Sequence, residues 1–195
     1  MQVLMLRHGK TQHNLDSRYT GATDVPLCAL GEQLLREAAP LPQPECVYVS
    51  PMLRARQTAA ILFPAARQVV IEELREMNFG DFEGRTAAEM ADDPAYIAWL
   101  NSDGMAPCPH GDSIDSFAAR VVPAFTALID EQLAAGAERL TIVAHGGVLM
   151  AIMSRLAEPE RHYFDWSVKN GQGYLLRVER EVWLKERRVS AWQPA

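Results

Sequence analysis

Short apolar runs that stop abruptly on polar residues punctuate the chain. Val3-Leu4-Met5-Leu6 stops at Arg7-His8-Gly9, Val47-Tyr48-Val49 at Ser50-Pro51, and Leu140-Thr141-Ile142-Val143-Ala144 at His145-Gly146-Gly147. Such runs predict strands buried on both faces that deliver their last residues to a loop. Val69–Ile71 predicts a further short strand. Leu27–Ala39 reads as a helix that Pro40, Pro42 and Pro44 stop. Ser50-Pro51 reads as an N-cap followed by proline at the first helical position, with Met52–Leu62 as the helix and Arg54 in its first turn. Glu72–Gly84 is mixed and loop-like, and Thr86–Leu100 predicts one or two helices. Ser113–Ala135 predicts a long helix with Pro123 as a point of kinking, and Val148–Leu156 a helix after the His145 run. Near the C-terminus, Gly173–Val178 and Val182–Val189 alternate like a pair of strands.

Strand and helix signals that alternate in this way predict an α/β fold: a three-layer sandwich with a mostly parallel central sheet flanked by helices, one domain over residues 1–195. Ligands of such folds bind beyond the carboxyl ends of the strands, and here two strands end in His-Gly. The net charge of -6 disfavours a chain that holds nucleic acid or anionic lipid over a broad surface. A bound anion must then sit in a local cationic pocket. No apolar run approaches the roughly 20 residues of a membrane span, and Met1–Leu6 leads into Arg7-His8 instead of a signal-peptide pattern. The expectation is a cytoplasmic protein with neither a membrane nor a nucleic-acid partner. Cys28, Cys46 and Cys108 form no close-spaced pair, and an odd count argues against a disulfide framework or zinc knuckle. They read as packing residues.

Taken singly, a histidine at a strand end is more often structural, and a lone arginine is more often a surface ion-pair partner. Arg7, His8, Arg54 and His145 together are harder to dismiss. Two guanidinium forks and a helix N-terminus suit a phosphate, because they offer bidentate donors and fixed positive potential without a metal. One histidine could attack phosphorus if it is neutral, a state that nearby arginines favour. The other could donate to the equatorial oxygens. A carboxylic acid must protonate the leaving alkoxide and later take a proton from water. Glu72, Glu73, Glu76, Asp81 and Glu83 are the candidates, and spacing alone does not choose among them. A metal site built from His8, His13 and His145 lacks a compact ligand spacing, and paired arginines would repel the ion. Neither a metal nor another cofactor is expected. No Gly-x-Ser-x-Gly elbow supports a serine hydrolase, and an inactive phospholigand-binding module would need a defect in positions that are all intact.

Leu6-Arg7-His8-Gly9-Lys10-Thr11 with Asn14, then Thr20-Gly21, Asp24-Val25-Pro26-Leu27, Gly31, Ser50-Pro51-Met52-Leu53-Arg54-Ala55 and His145-Gly146 occur in an order that resembles the histidine phosphatase superfamily, also called phosphoglycerate-mutase-like. The resemblance runs from Val3 to about Leu156. It implies His8 as nucleophile, Arg7, Arg54 and His145 as the phosphate pocket, and Glu76 as proton donor. It also places Asn14, Thr11, Thr20, Gly21 and Gly146 along the substrate or phosphate, although Thr20-Gly21 equally suits a turn. Glu83-Gly84 belongs to the same motif as a loop-fixing element. Lys10 stands where the family usually has glutamate or glutamine, and Cys28 is also unusual.

That superfamily holds mutases and phosphatases. Mutases carry basic residues after the proton donor, whereas Met77–Asp112 here has one arginine, Arg85, no lysine and seven acids. Hydrolysis of a small-molecule phosphomonoester is therefore favoured over handling of a bisphosphate. Among the phosphatases, Glu76 to Glu83, Ala95 to Trp99, Pro109 to Ser113 and Ser190 to Ala195 resemble the alpha-ribazole phosphatase family. A broad-range sugar or nucleotide phosphatase is the alternative. Tyr96, Trp99 and His110 could stack on a base or ribose, although aromatics at this spacing are more often helix core. Exposed apolar residues in the C-terminal strands would allow a homodimer.

Overall fold

The structure is a computed structural model that describes residues 1–195. Its centre is a sheet of six strands, β1 (Gln2–Arg7), β2 (Cys46–Val49), β3 (Arg67–Val70), β4 (Arg139–Ala144), β5 (Gly173–Arg177) and β6 (Ala191–Pro194), in the order β3-β2-β4-β1-β5-β6. β1 to β4 run parallel, and β5 runs against both of its neighbours. Val3, Met5 and Leu6 of β1 and Leu140 to Ala144 of β4 are buried, as expected of strands covered on both faces. β4 and β1 pair in register from Gln2 opposite Arg139 to Arg7 opposite Ala144. The carboxyl ends of β2, β4 and β1 consequently lie side by side.

Seven α-helices flank the sheet: α1 (Gln12–Leu15), α2 (Ala29–Glu37), α3 (Leu53–Leu62), α4 (Pro94–Asn101), α5 (Ile114–Ala134), α6 (Gly146–Leu156) and α7 (Arg180–Glu186). The larger core is built by Phe117, Val121, Phe125 and Ile129 of α5 and Leu149 and Ile152 of α6 against Val3, Met5 and Ile142. A smaller core on the other face joins Ala55, Ala59 and Phe63 of the α3 region to Leu6, Val47, Val49 and Val143. α5 starts where its capping chemistry says it should: Ser113 Oγ accepts the N–H of Ser116, Ser116 Oγ accepts that of Ser113, and the helix continues through Pro123. No helix is long and apolar enough to cross a membrane.

Four expectations change. Ser50 does not cap α3, which begins at Leu53 with Met52 as its N-cap and no side-chain cap bond. Val182–Val189 is not a strand: Arg180–Glu186 forms α7, which buries Trp183 and leaves Leu184 57% exposed. The partner of β5 is Ala191–Pro194, a run too short and proline-bearing to read as a strand, which survives because an edge strand tolerates proline. Cys28 is also more than packing, since its Sγ accepts the Gly31 N–H at 3.4 Å and caps α2.

Candidate active site

β1 delivers Arg7 and His8, the segment after β2 delivers Ser50 and Arg54, and β4 delivers His145 to one point at the strand ends. The His8 and His145 rings meet edge to face with centroids 5.1 Å apart. His8 Nδ1 lies 2.7 Å from Gly9 O. A carbonyl can only accept, so Nδ1 carries the proton and Nε2 keeps its lone pair. His145 Nε2 lies 2.6 Å from Ser50 Oγ, while its buried Nδ1 has no partner. Burial, then Arg54 and Arg7, hold the His8 pKa well below its ordinary value, and burial, Arg54, His8 and Arg7 do the same to His145. Both rings are neutral, as a nitrogen nucleophile requires.

The arginines are fixed from behind. Arg54 is fully buried, with Nη1 donating to Thr23 O at 2.9 Å and Nη2 to Gly21 O at 2.8 Å. Arg7 Nη1 donates to Val168 O at 2.7 Å. The Nε of each is buried and unpartnered, like His145 Nδ1. Buried donors without acceptors are costly; a phosphoryl group with its oxygens would satisfy the two Nε–H groups, and His145 Nδ1 as well in the tautomer whose Nε2 accepts the Ser50 hydroxyl.

Among the candidate acids the surroundings separate what spacing left open. Glu72, Glu73 and Asp81 are exposed. Burial raises the Glu83 pKa, yet hydrogen bonds from Thr23 Oγ1 and the N–H groups of Phe79, Gly21 and Ala22 outweigh it and leave the group below its ordinary value. That carboxylate fixes the loop that feeds carbonyls to Arg54. Glu76 behaves oppositely: burial raises its pKa, and the N–H groups of Met77 and Gly147 with the charges of Arg54 and Arg7 only partly offset that. It is the acid suited to holding a proton beside the pocket.

The remaining residues divide. Asn14 and Thr20 line a cleft of about 330 Å³ together with Arg7, Glu76 and Gly146. Thr11 is fully buried, and its Oγ1 accepts the Asn14 N–H as the cap of α1. Gly21 works through its backbone, and a Cβ there would fall 1.6 Å from Met77 O, a separation only glycine avoids. His110 is exposed on Asp81, outside the cleft, and Tyr96 is buried against Tyr19 and Phe82. Trp99 belongs to the core and to the cleft wall.

The sequence alone assigns no site role to Ser50, Thr58 or Asn170. Thr58 Oγ1 accepts the Gly9 N–H at 2.9 Å and donates to Arg54 O at 2.7 Å. Asn170 Nδ2 donates to His8 O and to Asn14 Oδ1, each at 3.1 Å. Because Asn14 Oδ1 also accepts the Thr11 N–H, the Asn14 amide is oriented with its NH2 group free. Only Ser50-Pro51, beside a strand end, carries a local signal, and that signal is the one of a helix cap.

A family model described as the histidine phosphatase superfamily (branch 1) matches residues 3–190. The chain belongs to that superfamily. A histidine phosphatase superfamily protein of this size is similar to the 2,3-bisphosphoglycerate-dependent phosphoglycerate mutase of Cytophaga hutchinsonii, with 33% identity over 79% of this chain and 76% of the relative. It is similar also to the glucosyl-3-phosphoglycerate phosphatase of Mycolicibacterium vanbaalenii, with 35% identity over 88% of this chain and 80% of the relative. The solved alpha-ribazole phosphatase of Shigella flexneri superposes with a TM-score of 0.80 and 28% identity, covering 93% of this chain and 92% of that one. The superfamily's phosphoglycerate-mutase-like fold is the one described above, and membership makes the chain a phosphatase-type enzyme.

Proposed function

We propose that this superfamily member hydrolyses phosphomonoesters through a phosphohistidine on His8, and that its substrate carries an apolar, aromatic leaving portion of the alpha-ribazole 5'-phosphate kind. His8 Nε2 attacks phosphorus, forming a P–N bond as the P–O bond to the leaving group breaks. Arg7, Arg54 and His145 hold the equatorial oxygens. Protonated Glu76 gives its proton to the leaving alkoxide. The resulting carboxylate then takes a proton from water, whose oxygen attacks phosphorus, and the P–N bond breaks to release inorganic phosphate and neutral His8.

The observation that carries the substrate reading is the cleft wall. Beyond the phosphate pocket the cleft is lined by Tyr19, Met77, Phe79, Trp99, Met150 and Phe164. Its one cation besides Arg7 is Arg18, which already bonds to Gly84 O and Glu89. A second phosphate or a carboxylate, as on a bisphosphoglycerate, would find little there, whereas a flat apolar base would bury well. The similarity to alpha-ribazole phosphatase supports the same reading, and it would place the enzyme in assembly of the cobalamin lower loop.

The test is phosphate release, with chelator present, from alpha-ribazole 5'-phosphate, nucleotides, sugar phosphates, 3-phosphoglycerate and p-nitrophenyl phosphate, together with trapping of labelled phosphate on the protein. A clear preference for alpha-ribazole 5'-phosphate with label lost in His8→Ala is the expected result. Flat rates across the panel would reduce the reading to a general phosphatase. Label retained without His8, or a requirement for added metal, would overturn the phosphohistidine route.

A further inference from the structure

Glu76 lies between two short segments and has no regular element of its own to fix it. The 3-10 turn Glu72–Leu74 ends just before it, and the next, Gly80–Phe82, starts four residues after it. Its backbone is nevertheless gripped from outside. Arg120, in the second turn of α5, donates from Nη1 to Glu73 O at 2.6 Å and to Arg75 O at 3.1 Å, and from Nη2 to Glu76 O at 3.2 Å. The guanidinium lies over the Phe117 ring, 5.2 Å from its centroid. Its Nη2 is 3.8 Å from Asp112 Oδ2, which in turn accepts the Asn78 N–H at 2.9 Å.

One planar fork therefore gathers three carbonyls of the turn that presents the acid, while Asp112 ties down the chain two residues beyond it. A lysine in that place has the charge but a single nitrogen, and it cannot span the carbonyls in a fixed plane. Arg120 makes no hydrogen bond to Arg7, His8, Arg54 or His145; its charge adds to the depression of the His145 pKa, an effect that Arg120→Lys retains, whereas its hydrogen bonds act on the Glu76 turn. We propose that Arg120 is a positioning residue for proton transfer: it holds the Glu76 turn against α5 so that the carboxyl group meets the leaving oxygen. This rests on the phosphomonoesterase reading, in which Glu76 is the acid.

The experiment compares Arg120→Lys and Arg120→Ala with wild type and with Glu76→Gln on a simple alkyl phosphate, whose leaving group needs a proton, and on p-nitrophenyl phosphate, whose leaving group does not. Inhibition by inorganic phosphate and thermal midpoints are read in parallel. Glu76→Gln should lose about 10²-fold more on the alkyl ester than on the aryl ester. Arg120→Lys should show the same split at about 10-fold, since a misplacement of about an ångström costs up to about 10²-fold, with phosphate inhibition unchanged. Arg120→Lys keeps the positive charge and a long side chain, so it remains informative if Arg120→Ala does not fold. Equal losses on both esters in Arg120→Lys, with the split present in Glu76→Gln, would overturn the role of Arg120 alone. No split in Glu76→Gln would overturn the acid assignment, and the role of Arg120 with it.

Discussion

Gly147 donates its backbone N–H to Glu76 Oε2 across 3.0 Å, and a Cβ on Gly147 would sit only 2.2 Å from Glu76 Oε1. The first turn of α6 and the acid are thus in direct contact, with glycine as the condition of that contact. Gly147→Ala must push the carboxyl group aside. Its kcat on alkyl phosphates should fall by about 10- to 10²-fold, with a smaller loss on p-nitrophenyl phosphate. Steady-state rates on the two esters check this, and parallel losses would show that the phosphate pocket, and not the acid, had moved.

The same acid sets a pH dependence. A carboxyl whose pKa is raised by burial stays protonated above its ordinary value of 4.5, and the proton is lost as pH climbs through the raised value. The ratio of kcat/KM for an alkyl phosphate to that for p-nitrophenyl phosphate should therefore fall with rising pH in wild type and stay flat in Glu76→Gln. A ratio that is flat in both proteins would remove Glu76 from the leaving-group step.

Stability should respond in the other direction. His8 and His145 have folded pKa values well below 6.5, so unfolded chains bind these protons at pH values where the folded protein does not. Their contribution is fully present above about pH 6.5 and is lost as pH falls from there through the depressed folded values. The slope is about 1.4 kcal/mol per pH unit for each histidine. Urea titrations between pH 7 and 5 should show a shallower acid decline in His145→Asn than in wild type. Identical slopes would mean that His145 is not buried as a neutral ring.

The cleft wall offers a test of substrate reading that leaves the chemistry alone. Phe164 lines the cleft and is 43% exposed, so its removal should perturb packing little. Phe164→Ala should raise KM for a base-bearing phosphomonoester by about 3- to 10-fold, or roughly 0.5–1.5 kcal/mol, with KM for a small alkyl phosphate unchanged. Equal effects on both would place Phe164 outside the leaving-group contact.

Much of this architecture was legible in sequence because β1, β2 and β4 are buried on both faces, so that Val3–Leu6, Val47–Val49 and Leu140–Ala144 appear as unbroken apolar runs. Arg7, His8, Arg54 and His145 were legible only as a set: each alone has a commoner structural use, but two histidines and two arginines that follow buried strands together fit an anion pocket. Val182–Val189 misled because a short helix that buries one tryptophan leaves no 3.6-residue stripe to read. Trp183 packs on Phe125, and its Nε1 donates to Asp130 at 2.8 Å. Ser50 misled because its hydroxyl has a competing partner, His145, 95 residues away in the chain. Thr58, Asn170 and Arg120 left no local trace either, because each acts on a distant backbone carbonyl or amide.

The cleft has two halves drawn from different stretches of chain. Arg7 and His8 end β1, Arg54 lies in the first turn of α3 and His145 follows β4, whereas Phe79, Gly104 and Phe164 come from the connections between strands and α-helices and Trp99 from α4. Trp99, Tyr163 and Trp166 belong to the core, and Tyr163 donates its hydroxyl to Gly147 O, so changes confined to Phe79 and Phe164 would alter what the cleft accepts without disturbing the cluster at the strand ends. The scaffold is in this sense a chassis with a replaceable front, and libraries aimed at new leaving groups belong at those two positions.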